Sequence, residues 1–179
     1  MLDWNVVVSV RDRGFAMACD ILNEYGTVAR SGYYNVLVMK VASPVAFLAK
    51  LEQRLQANSD LLTYVARIAP ATETFDFGTP QEFDAQAREV VTKFVPQLAG
   101  KSFHVRMHRR GWKGELSSID VERLLNDHLL AALNEAGTSG TIRFDDADAI
   151  IDLETVDHRA GLSLWTQDDL KRYPFLKPD

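Results

Sequence analysis

The chain has 179 residues, of which 46% are hydrophobic and 25% are charged, and its formal net charge is −5. These values are typical of a soluble globular protein with one large domain or two small ones, and no apolar run reaches the length of a membrane span. Cys19 is the only cysteine, which excludes a disulfide framework and a thiolate metal site.

The first part of the chain alternates between strand and helix patterns in the order β-α-β-β-α-β. Apolar residues at helical spacing run from Phe15 to Tyr25, and Gly26 follows as a stop. Ser43 and Pro44 start the second helix as its N-cap and its first residue. This order predicts a ferredoxin-like domain over residues 1–68.

The second part follows the order α-β-α-β-β. Thr79 begins its first helix as an N-cap, and Glu82 three residues later completes a capping box. The remaining predicted elements are a strand from Ser102 to His108, a helix from Ser117 to Gly137, and two paired strands, Ile150 to Thr155 and Leu162 to Trp165. We therefore predict an α+β protein whose second domain, an α/β unit, covers residues 69–179.

Positive charge is concentrated at the strand before the long helix. Five Lys or Arg residues and no carboxylate lie between Lys101 and Gly114, whereas eight acids lie between Thr141 and Leu170. In a strand, alternate residues face opposite sides, so Phe103, Val105 and Met107 are predicted to face a core. The residues predicted to face the other side are His104, Arg106 and His108.

The stretch after this strand has the composition of a phosphate-binding turn. Arg109, Arg110 and Lys113 continue the positive charge, and Trp112 offers a ring for stacking on an unpaired base. The helix that starts at Ser117 or Ser118 presents free backbone N–H groups. A solvated strand face beside a well-capped helix explains the same residues equally well, so the chemistry alone leaves both interpretations open.

Three sequence motifs in this half resemble the THUMP domain. The central one is F-x-V-R, R-R-G and S-S-x-x-V-E, carried by Phe103, Val105, Arg106, Arg109, Arg110, Gly111, Ser117, Ser118, Val121 and Glu122. The run from Ile142 to Leu164 resembles the family's V-D-L-x-x-P-D segment and strand pair, although Ala147 occupies the usual proline position. Upstream, the run from Tyr64 to Thr74 resembles the R-x-x-P entry to the same domain.

The resemblance implies binding of the acceptor stem and 3′ CCA end of transfer RNA. The residues that would contact the RNA are Lys101, His104, Arg106, His108, Arg109, Arg110, Trp112, Lys113, Ser117 and Ser118. The chain is most similar in pattern to stand-alone members, such as the adaptor that presents transfer RNA to a cytidine N4-acetyltransferase. A tRNA-modifying enzyme is then a second expected partner.

We expect no catalytic residue, cofactor or metal, because the sequence has no G-x-G-x-x-G, P-loop or paired-cysteine motif. His104 and His108 are four residues apart, a spacing that suits a shared metal on a helix. On a strand it separates them by about 13 Å, which argues against metal binding by this pair. We further expect a cytoplasmic protein with no membrane contact and no DNA partner. The alternative function is a protein–protein adaptor without RNA contact, whose acidic surface near residues 145–169 would bind a basic partner.

Overall fold

The computed structural model describes residues 1–178 and divides them into two compact units. Unit 1 comprises Met1–Thr72 and Arg172–Pro178, and unit 2 comprises Glu73–Lys171. Each unit combines one sheet with helices, so the predicted α+β class is confirmed. Among the described residues, every helix is too short or too polar to cross a bilayer.

Unit 1 is built on a four-stranded antiparallel sheet with the strand order β2-β3-β1-β4. Its elements are β1 (Val6–Val10), α1 (Phe15–Leu22), β2 (Thr27–Arg30), β3 (Val36–Lys40), α2 (Pro44–Ala57), α3 (Leu61–Tyr64), β4 (Val65–Pro70) and a 3₁₀ turn (Pro174–Leu176) packed on β4. Apart from the short α3, this is the predicted β-α-β-β-α-β order of a ferredoxin-like unit.

Gly26 has a different role from the predicted helix stop. Helix α1 ends at Leu22, and Gly26 lies where the chain enters β2 beside β3. A Cβ atom on Gly26 would overlap the carbonyl oxygen of Lys40. Glycine is therefore needed there for the close approach of two backbones, and not for ending the helix.

Unit 2 contains a mixed five-stranded sheet with the order β5-β9-β8-β6-β7. Its elements are β5 (Glu73–Asp76), α4 (Pro80–Thr92), α5 (Val95–Leu98), β6 (Lys101–His108), α6 (Ser118–Glu135), β7 (Gly140–Ile142), β8 (Ala149–Val156), β9 (Arg159–Thr166) and α7 (Gln167–Arg172). Strand β6 runs parallel to β7 and β8, and β9 runs antiparallel to β8 and β5.

The two long helices of unit 2 start where their capping residues predict. Thr79 Oγ1 accepts a hydrogen bond from the Glu82 N–H (3.1 Å), and the Glu82 carboxylate accepts one from the Gly78 N–H (2.6 Å). At α6, Ser117 Oγ accepts from the Asp120 N–H (3.3 Å). The two hydroxyl contacts satisfy N–H groups that the first turn of a helix leaves without a partner, and the Glu82 carboxylate binds the N–H of the residue before the N-cap.

The core of unit 2 lies between one face of the sheet and helices α4, α5 and α6. Phe103, Val105 and Met107 point into it from β6, as their alternation predicts. Phe83 of α4 is 1% exposed and packs its ring against Phe77, with a centroid distance of 5.0 Å. The hydrophobic core therefore fixes which face of β6 remains for other contacts.

Side chains of α6 complete the hydrogen bonding of β6 along one edge. Strand β7 pairs with β6 only as far as Phe103. Beyond that point Asn126 Oδ1 accepts from the Val105 N–H (2.9 Å), and Glu122 Oε1 accepts from the Met107 N–H (2.8 Å). Four residues of helix span about 6 Å and two residues of strand about 6.6 Å, so the two spacings match.

Replacing Asn126 with alanine should lower the free energy of unfolding by about 1–3 kcal/mol, because the buried Val105 N–H loses its acceptor. Urea unfolding followed by circular dichroism measures the change. Asn134→Ala removes an exposed asparagine from the same helix and should be neutral or slightly stabilising. Equal stabilities of the two variants would contradict this account of the strand edge.

Candidate nucleic-acid interface

Arg106 is the cation most open to solvent on the second face of β6. Its side chain is 44% exposed, and its Nη1 atom lies 3.9 Å from Glu122 Oε1. That carboxylate oxygen already accepts the Met107 N–H at the shorter distance of 2.8 Å. Such a long, exposed ion pair holds the guanidinium weakly, so Arg106 remains available to another anion.

His104 lies on the same face but is 8% exposed. Its Nδ1 atom lies 2.9 Å from the carbonyl oxygen of Arg143 and donates to it, since a carbonyl oxygen only accepts. The imidazole also contacts the ring of Phe144, with a centroid distance of 5.5 Å and an interplanar angle of 47°. His104 therefore supports the segment after β7, and little of its own surface faces solvent.

His108 and Arg110 lie against carboxylates of β8. His108 Nδ1 is 3.2 Å from Glu154 Oε1 and 3.6 Å from Asp152 Oδ1, while Arg110 Nη1 is 2.6 Å from Glu154 Oε2. Both carboxylates are 2% exposed. These short contacts tie the end of β6 to its neighbouring strand.

The same acids and His108 form a group with the composition of a cation site. His108, Asp152 and Glu154 each offer one ligand atom, and these atoms lie within 4.8 Å of one another. The pairing arises across strands, because His108 lies opposite Glu154 in the register of β6 and β8. The spacing of His104 and His108 along β6 gives no indication of this group. The Arg110 guanidinium already forms an ion pair with Glu154, so it neutralises part of the negative charge that would attract a cation.

The turn after β6 is held by the β8–β9 hairpin. The Arg110 N–H donates to the Thr155 carbonyl oxygen (3.1 Å), and the Asp157 N–H donates to the Arg110 carbonyl oxygen (2.9 Å). Arg109 donates from its guanidinium to the Gly111 carbonyl oxygen, and Lys113 is exposed. The turn therefore has a defined shape that presents Lys113 and part of Arg109 to solvent.

Trp112 is a packing residue of this turn. Its Nε1–H donates to the Asp157 carbonyl oxygen (2.8 Å), and its ring lies 5.5 Å from that of Phe77 and 5.2 Å from that of His158. The backbone of Trp112 is left-handed, with φ of 56°. The ring predicted to stack on an unpaired base is thus half-buried among other rings.

The start of α6 carries its own negative charge. Ser117 Oγ is used in the cap, and Ser118 is the first residue of the helix. The exposed Asp120 lies in the first turn, where its carboxylate interacts favourably with the positive end of the helix dipole. An incoming phosphate would have to share this helix end with Asp120.

Sequence reasoning missed three exposed side chains beside β6. Phe144 is 67% exposed, and Arg123 and Arg143 are exposed without an ion pair to any residue between 1 and 178. The sequence gives no local signal for Phe144, because it is a single apolar residue directly before the acids Asp145 and Asp146. The structural signal that identifies it is its place in one cleft with the exposed side chains of Ile119 and Arg123.

One acid of that run has a structural role. Asp148 Oδ2 accepts from the Ser102 N–H (2.9 Å), and Ser102 Oγ accepts from the Asp148 N–H (2.9 Å). These hydrogen bonds with Ser102 hold the pKa of Asp148 below its ordinary value, and the charges of Lys101 and Arg143 lower it further. Asp148 therefore anchors the starts of β6 and β8 to each other while partly neutralising the nearby cations.

No protein-family model matches the chain. It is 32% identical over 133 residues to the tRNA sulfurtransferases of Shigella sonnei (strain Ss046) and Escherichia coli (strain K12 / DH10B). The match covers 68% of this chain but 26% of each sulfurtransferase, so the chain spans about a quarter of the length of these relatives.

Several solved structures share the fold, and two of them serve as examples. A 4-thiouridine synthetase–RNA complex with bound ATP superposes with a TM-score of 0.56 at 12% identity, covering 90% of this chain and 41% of that one. TrmN from Thermus thermophilus gives 0.56 at 11% identity, covering 89% of this chain and 44% of that one. At these identities the likeness concerns the fold.

Proposed function

We propose that this chain is a transfer RNA-binding protein and that unit 2 is its THUMP-type binding module. The observation that carries the proposal is the 32% identity to tRNA sulfurtransferases over 133 residues, a stretch longer than either of the two compact units. The order of the motifs from Phe103 to Glu122 supports the same assignment. The net charge of −5 does not oppose it, because exposed cations are gathered near β6.

The phosphate contacts are assigned to the cations that remain accessible. These are Lys101, Arg106, Arg109 and Lys113, with Arg123 and Arg143 as additions from the structure. Arg110 and His108 contribute less directly, because they already contact Glu154. Each accessible cation that meets a phosphate displaces counterions from the RNA, so the affinity should fall steeply with salt.

The finer proposal is that the RNA is held by its acceptor stem and 3′ CCA end and presented to a separate modification enzyme. The resemblance to stand-alone THUMP proteins supports this assignment, as do the names of the relatives, which are tRNA-modifying enzymes. In this proposal the chain itself performs no chemistry.

Fluorescence anisotropy with three labelled nucleic acids tests the proposal. Intact transfer RNA should bind most tightly, transfer RNA trimmed of its unpaired 3′ nucleotides more weakly, and duplex DNA weakest. The affinity for intact transfer RNA, measured between 50 and 200 mM salt, should fall with a slope of about one for each phosphate contact. Equal affinity for all three would show charge-driven binding without recognition of transfer RNA and would refute the proposal.

One feature favours the alternative function, a protein-binding adaptor. The N-terminal halves of α4 and α6 border a cleft of about 610 Å³ with an apolar floor that includes Phe83, Leu124 and Leu125. Asp84 and Glu115 add negative charge to its lining. An adaptor of this kind should retain none of the three nucleic acids, which separates it from the first proposal in the same experiment.

A further inference from the structure

A small platform of exposed side chains lies between α6 and the end of β7. Phe144 and Ile119 are each 67% exposed, and Arg123 and Asp127 lie on the same cleft of about 370 Å³. We call this group, together with Arg143, the Phe144 platform. Phe144 and Ile119 therefore leave apolar surface of one cleft open to solvent, and adjacent exposed apolar side chains, unlike single ones, indicate a binding surface.

The ring of Phe144 packs against the side chain of His104 on β6. The imidazole of His104 contacts it at a centroid distance of 5.5 Å, and His104 is fixed by its hydrogen bond to the Arg143 carbonyl oxygen. The Arg143 N–H in turn donates to the Phe103 carbonyl oxygen of β6 (3.0 Å). These contacts therefore fix the backbone that carries Phe144 and support its ring, while 67% of the residue stays exposed to a ligand.

The charges around the ring favour a base over a phosphate inside the cleft. The exposed Asp127 carboxylate lines the cleft, so it would repel a phosphate but could accept a hydrogen bond from an exocyclic amino group. Arg123 and Arg143 carry exposed positive charge that can meet the backbone phosphates next to that base. The arrangement combines a stacking surface, an acceptor for a base edge and cations for the backbone.

We propose that the Phe144 platform binds one unpaired nucleobase of an RNA strand by stacking it on the Phe144 ring. This inference rests on the proposed RNA-binding function and adds a base-contacting residue to it. It reassigns the aromatic contact from Trp112, whose ring is packed against Phe77 and His158. Stacking on an aromatic side chain accepts any base, since every base offers a π-face.

Four versions of position 144 test the platform against the same transfer RNA. Phe144→Ala should weaken binding about 5- to 150-fold, the usual loss for one stacked base. Phe144→Leu keeps an apolar side chain but has no π-face, so it should bind as weakly as Phe144→Ala. Phe144→Trp offers a larger ring and should bind at least as tightly as the parent. The salt slope should stay unchanged in all four, because no phosphate contact is removed.

Trimming the unpaired 3′ nucleotides identifies the base. If the stacked base belongs to the 3′ end, Phe144→Ala should have no further effect on trimmed transfer RNA; if it belongs elsewhere, the loss should persist. Equal binding by the parent and Phe144→Ala, or full rescue by Phe144→Leu, would overturn the proposal and would instead point to a protein contact at this surface.

The platform and the RNA-binding function fail in distinguishable ways. If the parent protein does not retain transfer RNA, the proposed function fails. A single-stranded oligoribonucleotide that contains 2-aminopurine then decides the platform alone. Quenching of its fluorescence by the parent but not by Phe144→Ala would support stacking at Phe144, and identical signals would overturn it.

Discussion

Replacing both Arg106 and Arg109 with alanine should weaken transfer RNA binding about a hundredfold at moderate salt. A charge-assisted hydrogen bond to phosphate contributes about 1.5 kcal/mol or more, which is roughly tenfold for each side chain. Arg106 can contribute in this way because its only ion pair with a residue between 1 and 178 is a 3.9 Å contact with Glu122. The slope of log affinity against log salt should also fall by about two, one for each lost phosphate contact.

The control for this variant removes the same charge elsewhere. Lys50 and Lys171 are exposed on α2 and α7, and replacing both with alanine should change the affinity by much less than tenfold. Arg109 also donates to the Gly111 carbonyl oxygen, so the circular dichroism and melting temperature of the double variant must match those of the parent. A folded double variant that binds like the parent would place the RNA site away from β6.

Phe83→Ala should lower the free energy of unfolding by about 3–5 kcal/mol. Phe83 is 1% exposed and its ring contacts those of Phe77 (5.0 Å) and Phe75 (5.9 Å). The truncation therefore leaves a cavity among large rings that cannot collapse fully. Urea unfolding followed by circular dichroism gives the change in free energy.

Phe144→Ala is the matched control, because it makes the same chemical change at a residue that is 67% exposed. It should change the free energy of unfolding by about 0.5 kcal/mol or less. A loss as large as that of Phe83→Ala would mean that Phe144 is a core residue and would remove the basis of the platform. This measurement also establishes that the variant used in the RNA experiments is folded.

Local sequence signals predicted much of the fold because they act over a few residues. The caps at Ser43, Thr79 and Ser117 predicted three helix starts, since an N-cap side chain bonds to an N–H three residues away. The alternation in β6 correctly predicted which residues enter the core. The hairpin of β8 and β9 was also predicted, since Asp157 and His158 form the short polar turn between the strands.

The strands that the sequence did not predict are both short and lie at the edges of one sheet. Strand β5 has four residues and β7 has three, too few to show an alternation of apolar and polar residues. Each pairs with a strand that is distant in the sequence or separated from it by a helix. Their existence depends on tertiary pairing, which local patterns do not encode.

Part of the candidate site depended on contacts across many residues. Arg110 and Glu154 are forty-four positions apart, and only the register of β6 and β8 brings them together. The sequence indicated that the acids after residue 141 form a solvated surface, whereas Asp152 and Glu154 are buried. The clustering of cations in sequence therefore predicted the region of the site, but not which cations remain exposed.

The hydrogen bonds that N–H groups of β6 donate to Asn126 and Glu122 affect how the protein behaves at high concentration. A strand with open N–H groups is a template on which another chain can add its own strand, which is how many folded proteins begin to aggregate. Here two side-chain oxygens of α6 accept hydrogen bonds from N–H groups of β6, so these groups are not open to a strand from another chain. Polar residues of α6 thus close the part of β6 that β7 leaves open to strand addition, a protection that a search for hydrophobic patches would overlook.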